Sequence, residues 1–317
     1  MNARTIALAK YVASLLLFGS NGIVAASIAL KSHEIVLIRT AIGSALLIGL
    51  FLLARDRLTV LHHRRDALCM VASGVSTGAS WIFLYEAYQR VGVGVSSLVY
   101  YCGPIIVMAA SPLLFKERLT PRKLICFAVV LLGTVLVNGV VLQEGGDGAG
   151  LAYAAASAVA HAFMVIFNKL ASKTQGLENP LLQLVLSFLT VAAYTVIAGE
   201  GPFPVAADDW PALLFLGLVN TGLGCYLYFS SLAPLPAQTV VMLGYLEPLS
   251  AVVLAVVLLG EPMGATQAVG AALILGGAFA AEAGAPKRRP VPSAGTPNDR
   301  GRESERDGAE AVPLPID

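Results

Sequence analysis

Ten stretches of about 20 largely apolar residues follow one another along this chain, with only short links between them. An α-helix needs a stretch of that length to cross the hydrocarbon core of a bilayer. Hydrophobic residues make up 56% of the chain and charged residues 13%, which leaves more apolar surface than a soluble domain of this size can bury. The pattern predicts an all-α membrane protein with ten transmembrane helices, at residues 6–29, 34–54, 67–89, 92–115, 121–142, 149–171, 178–198, 210–232, 236–259 and 264–283.

The basic residues of the short links indicate how these helices are oriented. If the amino terminus is cytoplasmic, the outer links hold only Lys31 and Arg90, and the other basic residues of the links are cytoplasmic. Lys and Arg in short links remain on the cytoplasmic side. With one helix more or one fewer, the basic residues would no longer separate into an outer group and a cytoplasmic group. We therefore expect both termini inside, in a multi-pass protein of the bacterial plasma (inner) membrane.

The chain also repeats itself at an offset of 144 residues. Five helices are an odd number, so the second copy enters the membrane in the opposite direction, which makes an inverted repeat of the kind found in secondary transporters. We expect one unit at 1–143, a second at 149–284, and a disordered cytoplasmic tail at 285–317. The matching residues are Thr77-Gly78 with Thr221-Gly222, Tyr101 with Tyr245, Pro104 with Pro248, Glu117 with Glu261, and Gly133 with Gly277.

Two stretches, Ala233 to Ala280 with its Tyr245-Leu246-Glu247-Pro248 and Tyr101 to Val137 with its Lys116-Glu117-Arg118, resemble a known family. It is the drug/metabolite transporter superfamily, and within it the EamA-type transporters with ten helices. Phe18-Gly19-Ser20-Asn21 is similar to the first-helix motif of that family, with Phe where Trp is common. The resemblance implies export or exchange of small metabolites, often amino acids, through a cavity lined by helices 1–4 and 6–9.

Polar and aromatic residues near the middle of the predicted helices are the candidates for a substrate path. Pro104 and Pro248 each lack an N–H, which frees the carbonyls of Tyr100 and Gly244. Free backbone groups at that depth are tolerated only against protein or a wet cavity. The prolines therefore indicate a gate or site, or a kink needed only for packing. The full set of candidates is Asn21, Trp81, Tyr101, Pro104, His161, Tyr245, Glu247 and Pro248.

Glu247 is the most specific of these candidates. An ionised carboxylate near the midplane costs several kcal/mol, so it should be protonated, paired or in contact with water. It is either a proton carrier, a partner for a substrate ammonium, or a structural carboxyl beside the proline. His161 is either a titrating group or a neutral hydrogen-bonding residue. Transport coupled to protons through both residues is a hypothesis.

Arg39 and Glu86 lie toward the outer ends of the second and third predicted helices. They pair with each other, meet a charged substrate near a vestibule, or extend to the interface. Tyr101 and Tyr245 offer a ring and a hydroxyl to an amphipathic solute, or they pack helices together.

Two further pairs have structural roles in this interpretation. Glu117 and Glu261 should lie at helix ends on opposite faces, where each stabilises the positive amino terminus of the helix that follows. Gly133 and Gly277 should let helices 5 and 10 approach closely.

The sequence also limits the partners. A net charge of +1 gives no reason to expect nucleic acid. No phosphate-binding glycine loop, metal-ligand spacing or pair of nucleophile and base is visible, so we expect a small-molecule substrate and the lipid bilayer, with no cofactor, metal or catalytic residue. Gly74 and Gly78 support packing within the chain or a homodimer. The alternative function is a membrane protein that does not transport, such as an intramembrane enzyme or a scaffold.

Overall fold

The fold is known from a computed structural model, which describes residues 3–56, 58–138, 147–171, 176–199, 204–259 and 264–283. Every regular element in these ranges is helical. The predicted tail at 285–317 and Glu261 lie outside them. The helices are α1 Ala3–Phe18, α2 Asn21–Ala26, α3 Ser32–Ala54, α4 Arg64–Tyr100, α5 Gly103–Phe115, α6 Pro121–Asn138, α7 Gly148–Leu170, α8 Glu178–Ile197, α9 Trp210–Leu214, a π-helical segment Phe215–Leu223, α10 Gly224–Leu232, α11 Ala237–Gly244, α12 Leu246–Leu259 and α13 Ala265–Ala283.

Three of the predicted membrane helices contain a break. The first is interrupted after Phe18, where α1 gives way to α2, and the ninth is interrupted at Tyr245 between α11 and α12. The fourth is interrupted at 101–102, just before α5. Pro104 and Pro248 fall in the first turns of α5 and α12, where a missing N–H costs no intrahelical hydrogen bond. A break in the helix therefore lies just before each proline.

One predicted link is different in the structure. The backbone stays helical through 90–91, so α4 contains the third predicted helix and the first part of the fourth. However, Ser80 Oγ lies 3.2 Å from Ser157 Oγ, and Tyr100 Oη lies 2.7 Å from His161 Nδ1, one turn further along α7. Twenty residues of straight helix would separate these two points by about 30 Å. The chain therefore reverses direction within α4 and does not need a non-helical link to do so.

Within the described ranges, seven helical stretches are long and apolar enough to cross a bilayer, against ten predicted. The difference has a physical cause at α5, because the break at 101–102 leaves it only 13 residues. Ala268–Ala281 within α13 is also apolar and short. The seven stretches are Arg4–Ala25, His33–Ala54, Arg64–Val91, Gly148–Leu170, Glu178–Ile197, Ala207–Leu232 and Ala237–Leu258.

The outer surface of the helical bundle is apolar. Leu113, Ile197 and Leu53 expose 86%, 84% and 82% of their surface, and many other large aliphatic side chains are exposed as well. A protein surrounded by water rarely exposes so much contiguous apolar surface, whereas lipid tails accept it.

Side-chain contacts show which helix ends share one side of the bundle. Lys169, in the last turn of α7, donates a 3.0 Å hydrogen bond to the carbonyl of Leu232, the last residue of α10. Glu178, at the start of α8, accepts a 2.7 Å hydrogen bond from the backbone N–H of Val60, between α3 and α4. We name this side the basic end, and its cations include Lys10, Arg55, Arg64, Arg65, Lys116, Arg118, Arg122, Lys123 and Lys169.

At the opposite end of the bundle, Arg90 pairs with Asp147 at 3.3 Å, and the backbone N–H of Ala29 donates to Asp209 at 3.2 Å. Lys31 and Arg90, the two cations that the sequence assigns to the outer links, lie at this end. The charges are therefore distributed between the two ends as the sequence predicts.

Equivalent helices of the two halves have equivalent packing partners. α1 packs on α10, and the corresponding pair is α7 with α4. α3 packs on α8, and α6 packs on α13, each pair joining equivalent helices. α1 begins at the basic end and α7 ends there, so these equivalent helices run in opposite directions.

The contact between α6 and α13 depends on glycine. A Cβ at Gly133 would lie 2.7 Å from the carbonyl oxygen of Gly270, and a Cβ at Gly277 would lie 2.7 Å from a methyl group of Val130. The predicted close approach of these two helices is confirmed. Gly74, by contrast, is covered by Leu186 of α8 within the same chain, so it offers no free face for a second copy.

Candidate functional site

A cavity lies near mid-depth of the bundle, between the two proline-associated breaks. The cavity has a volume of about 100 Å³. Nine of its 25 lining residues are aromatic residues or histidine, and aliphatic side chains fill much of the rest. The predicted candidates that line it are Asn21, Arg39, Trp81, Tyr101, Pro104, His161, Tyr245 and Glu247.

The two breaks are joined directly. The hydroxyl of Tyr245 donates a 2.8 Å hydrogen bond to the backbone carbonyl of Tyr101. The two rings pack with their centroids 6.3 Å apart. Each break thus forms part of the cavity wall. The carbonyl of Tyr101, at the break in the first half, receives its hydrogen bond from the Tyr245 side chain of the second half.

His161 faces the cavity from α7. Its Nδ1 lies 2.7 Å from the hydroxyl of Tyr100, and the two rings meet edge to face at 4.8 Å. Tyr100 is the last residue of α4, so this hydrogen bond holds α7 against the break that follows. The contact fits both interpretations of His161, as a hydrogen-bonding residue and as a group that exchanges a proton with its surroundings.

Arg39 carries a positive charge into the cavity from α3. It is 5% exposed, and its Nε has no hydrogen-bond partner. Its guanidinium lies over the rings of Trp81 and Tyr85, at 4.6 Å and 5.8 Å from their centroids. Among the described residues no carboxylate pairs with it. Arg39 therefore does not extend to the interface, and its charge is held only by the faces of two aromatic rings.

Glu247 places a carboxyl group in the cavity from the first turn of α12. Its carboxylate borders the cavity, and no hydrogen bond to it is found in the described part of the chain. Its repeat partner Gly103 cannot carry a side chain, because a Cβ there would lie 2.7 Å from the carbonyl oxygen of Ala158 in α7. The close approach of α5 and α7 explains why one half has a carboxylate and the other has none.

Asn220 and Thr221 also line the cavity, and the sequence analysis did not single out Asn220 as a candidate. Asn220 donates 2.9 Å hydrogen bonds to Ser20 Oγ and to Asn21 Oδ1, at the break between α1 and α2. It lies in the π-helical segment, a distortion that is frequent at functional sites. The signal in the sequence was an amide in an apolar stretch, directly before the repeated Thr221-Gly222.

Two predicted residues lie outside the cavity lining. Glu86 accepts a 3.4 Å hydrogen bond from the hydroxyl of Tyr194, and no ion pair joins it to Arg39 in the described ranges. Pro248 is buried in the first turn of α12.

Glu117 stabilises a helix amino terminus, but not the one expected from the sequence. Its carboxylate accepts hydrogen bonds from the backbone N–H groups of Ala237 at 2.7 Å and Gln238 at 3.1 Å. These are the first residues of α11, in the other half, and not of α6, which follows Glu117 in the chain. In the same place, Gln238 Nε2 donates to Ser111 Oγ at 3.0 Å. The basic end of α11 is thereby tied to α5.

Over the described residues, no group of three or more His, Cys, Asp or Glu side chains is placed to hold a metal ion. None of the four cysteines, all within the described ranges, forms a disulfide.

Comparison with known proteins identifies relatives along most of the chain. An uncharacterized transporter of Bacillus subtilis, YxxF, is 25% identical over 280 residues, which cover 86% of this chain and 88% of that protein. The aromatic amino acid exporter YddG of Ancylobacter novellus is 27% identical over 205 residues, covering 63% of this chain and 70% of the exporter. A crystal structure with 22% sequence identity superposes with a TM-score of 0.75 and covers 88% of this chain and 96% of its own, so the fold is shared.

The profile of the EamA-like transporter family matches this chain twice, at residues 5–139 and 148–281. The resemblance to the drug/metabolite transporter superfamily is confirmed. Together with the apolar helices, these matches identify a multi-pass integral membrane protein. The chain belongs to the EamA-like transporter family.

Proposed function

We propose that this transporter carries small zwitterionic solutes, amino acids with an apolar or aromatic side chain, outward across the bacterial inner membrane. The observation that carries the proposal is the pair of opposite charges in one aromatic cavity, Arg39 and Glu247, neither of which has an ion-pair partner among the described residues. A buried charge without a partner is costly, so a ligand that supplies the missing charge is bound at an advantage.

The guanidinium of Arg39 is suited to a carboxylate. It is planar and presents its donors as a fork that matches two carboxylate oxygens. The rings of Trp81 and Tyr85 fix its plane, which lowers the entropy lost when a ligand binds. Glu247 is suited to an ammonium group. A substrate with both groups satisfies both charges, whereas an amine or an acid alone leaves one of them unpaired.

The rest of the cavity suits an apolar side chain. Phe18, Tyr100, Tyr101 and Tyr228 line it together with Trp81. Aromatic walls bind flat or branched hydrocarbon groups through their large contact area. The printed name of the Ancylobacter novellus relative, an aromatic amino acid exporter, agrees in both substrate class and direction.

Movement is proposed to follow alternating access of two inverted units of five membrane helices, at 1–143 and 149–284, which makes ten helices in all. The antiparallel course of α1 and α7 and the equivalent packing of the halves support this. The proposal includes a cytoplasmic location for both termini, which is supported by the larger number of described cations at the basic end. Proton coupling through His161 and Glu247 remains a hypothesis of the proposal.

The test is transport in proteoliposomes loaded with labelled phenylalanine, in the presence of competing solutes and with or without a pH gradient. We expect leucine and tyrosine to compete, and phenethylamine and phenylpropionate, which lack one of the two charges, to compete at least about 10-fold less well. No flux for any amino acid or nucleoside would contradict the transporter proposal and favour an intramembrane enzyme or scaffold.

Substitutions of Arg39 and Glu247 test which charged group of the substrate each residue binds. Arg39→Gln should weaken competition by amino acids by about 10-fold to 100-fold while leaving competition by phenethylamine nearly unchanged. Glu247→Gln should also weaken competition by amino acids, but it should leave competition by phenylpropionate nearly unchanged. Arg118→Gln, an exposed cation at the basic end, is the matched control and should transport as the wild type does. Proton coupling is excluded if His161→Gln and Glu247→Gln keep the wild-type pH dependence of transport.

A further inference from the structure

A second cleft lies at the basic end, away from the central cavity. It is open to the surroundings, has a volume of about 660 Å³, and lies where α4 begins and where α5 and α7 end. Its charged lining consists of the cations Arg64, Arg65 and Lys169 and one carboxylate, Asp66. With the neighbouring histidines neutral, three positive charges and one negative charge leave a net charge of +2.

The two arginines are available to a ligand. Arg64 and Arg65 are exposed, and neither has a hydrogen bond or an ion pair within the described ranges. They form the first turn of α4, whose free backbone N–H groups add to the positive potential. Asp66 cannot neutralise them at the surface, because it is only 7% exposed.

Lys169 closes the cleft from the side of α7. It donates hydrogen bonds to the carbonyls of Leu232 and Leu235, and its ammonium lies 5.8 Å from the ring centroid of Phe115. Its position is therefore fixed before any ligand arrives. The cleft combines one cation held by hydrogen bonds with two exposed cations.

The remaining wall of the cleft is apolar and continues into the membrane surface of the bundle. Leu114, Phe115 and Leu170 line it. Leu113, next to them on α5, is 86% exposed, and Leu68 on α4 is 70% exposed. A free phosphate would use only the cations, whereas a phospholipid would place its headgroup on the cations and its acyl chains along this apolar surface.

We infer that this cleft binds a phospholipid with an anionic headgroup, at the membrane boundary of the basic end. The exposed cations suit the anionic headgroup, and the apolar wall beside them suits the acyl chains. The site is independent of the proposed substrate cavity, because none of its lining residues borders that cavity.

The test uses the full-length protein in detergent, with binding of dioleoylphosphatidylglycerol and dioleoylphosphatidylcholine measured by native mass spectrometry. Each arginine near an anionic headgroup contributes about a 5-fold gain in affinity, so Arg64→Gln/Arg65→Gln should bind phosphatidylglycerol on the order of 30-fold more weakly. Its affinity for phosphatidylcholine should change little. The matched control Arg55→Gln/Arg118→Gln removes two exposed cations of the same end, outside the cleft, and should keep the wild-type preference.

The inference is overturned if the cleft variant retains the preference for phosphatidylglycerol, or if the control variant loses it to the same degree. Competition by water-soluble glycerophosphoglycerol distinguishes a phospholipid from a soluble phosphate compound as the ligand. It should fail to displace the lipid at millimolar concentration, and displacement would assign the cleft to a soluble phosphate compound and contradict a lipid site. Circular dichroism of both variants checks that the helical content is unchanged.

Discussion

The hydroxyl of Tyr245 donates a 2.8 Å hydrogen bond to the backbone carbonyl of Tyr101, 144 residues away in the equivalent break of the other half. A carbonyl freed by a helix interruption in a membrane must find a donor inside the protein. Here the donor comes from the second interruption. The two breaks are therefore not independent hinges, because a rotation of α11 relative to α12 that moves Tyr245 also leaves the Tyr101 carbonyl without its partner.

Tyr245→Phe should destabilise the protein, because it removes the donor and leaves a carbonyl unsatisfied at low dielectric. A loss of about 1 kcal/mol or more is expected, which corresponds to a thermal midpoint lower by at least roughly 1–2 °C for a chain of this size. Thermal unfolding in detergent measures it. Tyr153→Phe is the control, because no hydrogen bond to the Tyr153 hydroxyl is found among the described residues. Equal midpoints for the two variants would mean that the hydrogen bond contributes nothing.

Gly103→Ala should be strongly unfavourable despite the small size of the added methyl group. The new Cβ would lie 2.7 Å from the Ala158 carbonyl, a backbone atom that cannot rotate away. Overpacking of this kind costs about 1–3 kcal/mol. Gly49→Ala is the matched control, since no atom lies within 4 Å of a Cβ at that position of α3. The control should unfold at the wild-type temperature or higher, because alanine favours a helix. A wild-type midpoint for Gly103→Ala would show that α5 and α7 separate easily.

Glu117→Gln should loosen the start of α11. The substitution keeps one acceptor but removes the charge that the backbone N–H groups of Ala237 and Gln238 now meet. We expect faster hydrogen–deuterium exchange in the first turn of α11, measured by mass spectrometry of the purified protein. Asp56→Asn, an exposed carboxylate of the same end, is the control. Unchanged exchange in α11 would contradict a stabilising role for Glu117.

Asp147 should make the stability of the protein depend on pH in the acidic range. The backbone N–H of Ala149 and the guanidinium of Arg90 hold the pKa of this carboxyl below its ordinary value of 3.8. A lowered pKa in the folded state means that the stabilisation is complete above pH 3.8 and is lost as the pH falls through the folded-state pKa. The difference in thermal midpoint between wild type and Asp147→Asn should be constant from pH 5 to 7 and shrink toward pH 3. A difference that persists at pH 3 would show that the charge is not its cause.

The sequence predicts the local features of the fold well, because their causes are local. Proline cannot donate a backbone hydrogen bond, so Pro104 and Pro248 mark the breaks before α5 and α12. Length and composition locate the helical stretches, but they do not predict the breaks within three of them. The repeated Gly133 and Gly277 identify a close contact. Eight of the ten predicted site residues line one cavity, since polar groups at mid-depth have few other stable positions.

What the sequence does not predict is which helix each side chain meets. Glu117 was expected to stabilise the helix that follows it, and it stabilises α11, 120 residues away. Arg39 was expected to pair with Glu86, to meet a charged substrate or to extend to the interface, and the sequence did not predict that it would lie over Trp81. These contacts depend on the crossing of helices far apart in the chain. Periodicity and spacing along one helix carry no information about them.

The glycine contact between α6 and α13 has a consequence for the integrity of the chain. The last helix of each half finds its main partner in the other half, since Gly133 approaches the backbone at Gly270 and Gly277 approaches Val130. Neither half buries this surface by itself. If the gene were cut in the segment that joins α6 to α7, each fragment would leave one glycine-bearing face uncovered, and activity would return only when both fragments were synthesised together.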